Sequence, residues 1–132
     1  MIALDTNVLV RFLVHDDPDQ ARIASEIIEQ LTEEAPGFVS REVLVELVWV
    51  LERAYRLARA EIAGAIDGLL ASTELVVEGA DAIGSALELY RNDGFGFADL
   101  MIAAAARRAG ASEVVTFDRK AARLPGVRLL GE

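Results

Sequence analysis

Residues 94–118 read GFGFADLMIAAAARRAGASEVVTFD. The Gly94-Phe95-Gly96 triplet breaks the helical pattern before it. Ala98–Ala109 then carries apolar residues at helical spacing, and Gly110 stops it as a left-handed cap does. Glu113–Phe117 is an apolar, β-rich run, with Asp118 directly after it. Helix, turn and short strand therefore follow one another within a single stretch.

The same alternation runs back toward the start. Ile2–Leu4 is a short apolar strand, and Thr6–Val14 has helical spacing. Asp17-Pro18-Asp19-Gln20 has the form of a helix start, with Asp17 as cap and Pro18 at the first position. Gly37–Ser40 reads as a strand, and Ser40 as the cap of a helix reaching about Tyr55. Arg59–Ala71 is a helix, Glu74–Val77 a strand and Ala82–Tyr90 a helix. Val127–Leu130 closes the pattern as an edge strand. Short strands alternating with longer helices predict an α/β fold, a three-layer α/β/α sandwich around a central, mostly parallel sheet. The length of 132 residues suits a single domain, residues 1–132. In such sheets, ligands sit beyond the carboxyl ends of the strands.

Composition narrows the chemistry. With no cysteine there is no disulfide scaffold, thiolate metal site or cysteine nucleophile. One histidine, His15, cannot build a histidine-based zinc site. The net charge of −9 argues against gripping nucleic acid by a basic surface. No apolar run is long enough to span a membrane, and the start lacks a signal-peptide pattern, so a cytoplasmic protein is expected. At 53% hydrophobic, the chain has more apolar surface than one copy readily buries, which points to a dimer or a bound partner.

Most of the 22 acidic residues read as solvated faces or caps. Four do not. Asp5 and Asp118 each follow a strand directly, so both fall at a carboxyl end, although each also has the position of a capping residue. Glu46 is the one polar residue in Val43–Leu51, which predicts a carboxylate buried on an apolar helix. Such a group must be neutralised, bound to a cation, or paired, with Arg41 and Arg53 as the nearby partners. Asp99 is the sole polar residue from Phe97 to Ala106 and lies in a first helical turn, where the helix dipole also favours an anion. Four carboxylates brought together could not all stay ionised without a cation. Mg²⁺ or Mn²⁺, which take oxygen ligands and keep several waters, would resolve this. Such a metal also lets a phosphate substrate approach an acidic protein.

At these residues the chain resembles a known family. IALDTNVLVRFL (Ile2–Leu13), SREVLVELVWVLERAY (Ser40–Tyr55), GFADLMIAAAARRAG (Gly96–Gly110) and VVTFDRKAARLPGV (Val114–Val127) are similar to the PIN-domain ribonucleases, and more narrowly to VapC-type toxins of toxin–antitoxin pairs. The resemblance runs in order over essentially the whole chain. It implies metal-dependent endonucleolytic cleavage of RNA. Its acidic quartet falls on Asp5, Glu46, Asp99 and Asp118, as catalytic residues and ligands of Mg²⁺ or Mn²⁺. Asn7 would orient the site by hydrogen bonds, and Thr116 matches the hydroxyl residue that supports the first aspartate. It further implies a homodimer and a cognate antitoxin that covers the acidic site with a flexible, basic segment. The chain departs from the family in one place. Gly96 stands where many relatives carry a further acid, which leaves a second metal open; Asp93 lies three residues earlier.

Other residues have plainer readings. Trp49 is expected in the core or an interface, and His15 at the surface beside Asp16-Asp17. Arg11, Arg119 and Lys120 are ordinary surface charges or phosphate contacts, and Arg107-Arg108 complement a helix C-terminus. Two other functions compete with a nuclease. Leu4-Asp5-Thr6-Asn7 faintly resembles the loop of aspartyl phosphotransferases, with Asn7 in place of the second acid. A domain that binds RNA or a partner without turnover is the non-enzymatic reading.

Overall fold

Parallel strands cannot be joined by a tight turn, so each must be followed by a crossover, and helices supply it here. The structure, a computed structural model, describes residues 1–131. They form two compact units, one from Met1 to Ala80 and one from Asp81 onward.

The first unit runs β1 (Ile2–Ala3), α1 (Thr6–Leu13), α2 (Pro18–Glu29), β2 (Gly37–Val39), α3 (Arg41–Arg53), α4 (Arg59–Ala71) and β3 (Leu75–Val77). Its sheet has the order β1-β2-β3. Both pairings are parallel, with Ile2 beside Gly37 and Val39 beside Val77. The helices bury single apolar faces. α3 buries Leu44, Leu47, Val48 and Leu51, and α4 buries Ile62, Ala63, Ile66 and Leu69. The predicted helix start at Asp17 is present, because its carboxylate accepts from Gln20 N at 3.0 Å with Pro18 at the first position. Arg11 ties α1 to its neighbours. Its Nε donates to Gln20 Oε1 at 2.7 Å and its Nη1 to Asp16 Oδ1 at 3.0 Å and the Tyr55 hydroxyl at 3.1 Å. The Tyr55 hydroxyl in turn donates to Asp16 Oδ2 at 2.9 Å.

A second tie holds α3 to the end of β3. Glu78 Oε1 accepts from Arg41 N at 3.0 Å, and Glu78 Oε2 lies 3.2 Å from Arg41 Nη1. Gly79 makes this possible. Its φ is +69°, and a Cβ there would lie 2.6 Å from Arg41 Nε.

The second unit runs α5 (Ala80–Asp93), α6 (Phe97–Ala109), β4 (Val114–Thr116), a 3₁₀ turn (Ala121–Arg123) and β5 (Val127–Leu129). β4 and β5 form a separate parallel pair, with Val114 beside Val127 and Thr116 beside Leu129. Ile83, Leu87, Tyr90, Phe97, Leu100 and Met101 are buried. The Tyr90 and Phe97 rings meet edge to face, 5.9 Å apart at 87°. Gly110 ends α6 at φ +80°, as the sequence predicts.

The α/β class with parallel strands thus holds, and each predicted element is present within a few residues. The strands gather into a three-stranded and a two-stranded ladder. Most expected strands are one or two residues shorter in the structure, because ladder pairing ends before the apolar run does.

Two glycines give a test of this account. Gly64 lies exposed inside α4 with nothing near its missing Cβ. Gly64→Ala is expected to stabilise the chain by roughly 0.5–1 kcal/mol in urea unfolding, through helix propensity alone. Gly79→Ala is expected to destabilise it by more than about 1 kcal/mol, since the left-handed backbone is strained and the Arg41 guanidinium must move.

Candidate active site

The four singled-out acids lie where strands hand over to helices, or on a helix. Asp5 and Glu46 belong to the first unit, Asp99 and Asp118 to the second.

Asp5 follows β1 and is the cap of α1. Its Oδ1 accepts from Thr6 N at 2.7 Å. The exposed carboxylate opens onto a shallow cleft with Ala3, Leu4, Phe38, Ser40 and Val43, beyond the carboxyl ends of β1 and β2. Ser40 caps α3 there, its Oγ accepting from Val43 N at 3.1 Å. Asn7 lies in a different groove, with Ile2, Val8, Arg11, Ile23 and Ile27. Thr6, between the two, is buried, and its hydroxyl has no hydrogen-bond partner among the described residues.

Glu46 corrects the sequence reading, which placed it inside the protein. It is exposed. Counting apolar neighbours hid their angular positions. Leu44, Leu47, Val48 and Leu51 share the buried face, whereas Glu42, Glu46, Trp49 and Arg53 recur at helical spacing on the outer one. Arg41, considered as its partner, is engaged by Glu78 instead. Trp49 is likewise 58% exposed rather than in the core. His15 is at the surface, as expected, with Nε2 2.9 Å from the Phe12 carbonyl oxygen.

In the second unit two carboxylates face each other's influence. Asp118 lies just beyond β4, and its Oδ1 accepts from Ala121 N, the first residue of the 3₁₀ turn, at 2.9 Å. Its own N–H donates to Thr116 Oγ1 at 3.0 Å, so the hydroxyl fixes the Asp118 turn. Asp99 is in the first turn of α6, half-buried. Its carboxylate folds back over Gly96, where a Cβ would lie 3.0 Å from Asp99 Oδ2. Burial raises the Asp99 carboxyl above its ordinary range, and the nearby charge of Asp118 raises it further. Lys120 reaches the turn before α6, its Nζ 3.5 Å from where a Gly94 Cβ would be. Among the described residues, no three His, Cys, Asp or Glu side chains gather as a metal cluster. The pair Asp99 and Asp118 is what the second unit itself brings together.

Phe117, passed over in the sequence, is 80% exposed beside Asp118. Strand alternation was the signal for it, since Val114 and Thr116 turn inward and Val115 and Phe117 outward.

Comparison with known proteins gives these positions a context. The sequence matches the model of the PIN domain family over residues 2–127. It is 31% identical over 121 residues to a VapC ribonuclease of Aquifex aeolicus (strain VF5), covering 91% of this chain and 89% of that one. The crystal structure of VapC20 from Mycobacterium tuberculosis, a sarcin–ricin loop cleaving toxin, is similar at 25% identity and a TM-score of 0.47, covering 98% of each chain.

The raised Asp99 carboxyl sets a pH dependence. A folded-state pKa above the unfolded value adds stability below the ordinary carboxylate range, and that contribution is lost as pH rises through the raised value. At neutral pH the ionised group therefore opposes folding. In EDTA, Asp99→Asn is expected to raise the urea midpoint at neutral pH, and the gain should vanish as pH falls below the ordinary range. An equal gain at all pH values would contradict the raised carboxyl.

Proposed function

The chain belongs to the PIN-domain family, and from that membership we propose that it is a VapC-type endoribonuclease toxin that hydrolyses RNA phosphodiesters with a divalent cation. The observation that carries the reading is the Asp99–Asp118 pair, a helix-start carboxyl raised by burial and by the charge of its strand-end neighbour, inside a family match that spans both units. That single match also supports treating residues 1–132 as one domain.

The donors suit a hard cation. All four acids offer oxygen only, the chain has no cysteine, and its one histidine lies at the surface. Mg²⁺ is commonly held by one or two carboxylates with waters completing the shell, and Mn²⁺ accepts the same set. Asp99 and Asp118 would hold it, and the resemblance adds Asp5 and Glu46. When bound, such a cation makes a water acidic enough to attack near neutral pH and offsets charge developing at phosphorus.

The protein's own groups do the positioning. Ala121 N fixes one Asp118 oxygen, and Thr116 fixes its backbone. Thr6 N fixes one Asp5 oxygen in the same manner. Burial and the nearby charge of Asp118 raise the Asp99 carboxyl, and a cation held by the pair would offset that repulsion. We place Asn7 in support of the first unit's acids, although it lines a groove apart from Asp5.

The same reading assigns a cognate antitoxin, a homodimer and a cytoplasmic location. The open apolar groove of the first unit, with Ile2, Ile23 and Ile27 between 40% and 52% exposed and Arg11 at its polar end, supports a protein partner. No described helix is long and apolar enough to cross a membrane.

Purified protein freed of any antitoxin is expected to cut total RNA into discrete fragments with Mg²⁺ or Mn²⁺ and to stop in EDTA. Asp99→Asn and Asp118→Asn should each lower the rate by more than ~100-fold, since even supporting groups at metal sites are worth 10–100-fold. Thr116→Val, which removes one supporting bond, should cost about tenfold. Cleavage that persists in EDTA and in both variants would overturn the assignment. Cation binding without turnover would favour the non-catalytic reading.

A further inference from the structure

Phe117 is the most open large apolar side chain among the described residues. Its backbone is anything but loose. Thr116 O accepts from Leu130 N at 2.7 Å on one side. On the other, Asp118 N is held by Thr116 Oγ1 and Asp118 Oδ1 by Ala121 N. The backbone on both sides is thus held, and the ring stands in water one residue from a carboxylate of the candidate site. Its chain neighbours are polar or charged: Thr116 and Asp118, then Arg119 and Lys120, with the Lys120 ammonium at the Gly94 turn. A surface that docks a protein is a contiguous apolar patch. Val115, on the same strand face, is also 48% exposed, but the residues that follow Phe117 toward the candidate site are charged, and an aromatic ring beside cations is a composition that binds single-stranded nucleic acid, the ring stacking on a base and the cation meeting a phosphate.

We propose that Phe117 is a stacking platform for an unpaired base of the RNA substrate, seating the adjoining phosphate at Asp118, with Lys120 as the phosphate contact. The inference rests on the ribonuclease reading, and it adds a substrate-binding residue to it. Every base has a face to stack, so the contact sets register rather than sequence.

The test measures steady-state cleavage of an RNA the wild type cuts, together with binding of a fluorescein-labelled, mixed-sequence, single-stranded oligoribonucleotide. Phe117→Ala is expected to raise KM and weaken oligonucleotide binding by roughly 5- to 150-fold, the loss of one stacked base. Its kcat should hold and its Mn²⁺ affinity by calorimetry should match wild type. Phe117→Trp should restore KM, and Val76→Ala, an exposed apolar residue of β3, should change nothing. Binding is repeated in the Asp99→Asn background, where no cleavage interferes. Unchanged KM and affinity in Phe117→Ala would overturn the proposal. So would a loss confined to kcat, which would mean that the substitution disturbs Asp118. A change in assembly size with RNA affinity intact would overturn it in favour of a protein contact. Wild type that binds the oligonucleotide through Phe117 and cuts no RNA would sink the ribonuclease reading alone.

Discussion

The strands of this protein are only two or three residues long, so ladder bonds alone hold little of the backbone at their ends. A helix begins within a few residues of most of them, and the first N–H groups of a helix have no internal acceptor. Side chains at the handover positions must provide one. Asp5, Ser40, Glu78 and Asp118 do so, each accepting a backbone N–H at 2.7–3.1 Å. Replacing a capping side chain typically costs about 1 kcal/mol, a sizeable share of the stability of a small domain.

Two of those four capping groups are the acids assigned to chemistry. Asp5 and Asp118 each give one oxygen to the backbone and sit at the carboxyl end of a parallel strand, where crevices in such sheets open. The capping bond selects a rotamer and removes much of the entropy a carboxylate would otherwise lose on binding a ligand. On the proposed reading, the hydrogen bond that orders the local fold would also orient the ligand. A capping role and a functional role, which compete as readings of the sequence, are compatible in the molecule.

Much of this was legible before the structure. Proline, serine and glycine at Pro18, Ser40 and Gly110 marked boundaries because their effects are local. Asp5 and Asp118 were placed by simple adjacency to apolar runs. Glu46 was misread because burial depends on rotation about the helix axis, and α3 is rich enough in apolar residues to leave Trp49 outside. The Glu78–Arg41 tie was invisible because it joins residues thirty-seven positions apart. Phe117 could have been read from period-two alternation, but an apolar residue at a strand end passes easily for core.

Gly96 holds one more consequence. The space its side chain would occupy is filled by the Asp99 carboxylate, 3.0 Å from the missing Cβ. Residues 96 and 99 thus compete for one volume within the first turn of the same helix. A side chain at 96 would crowd the Asp99 carboxylate, which would have to give by a few tenths of an ångström. The two positions are sterically linked, and a change at the first would be felt first at the carboxylate of the second.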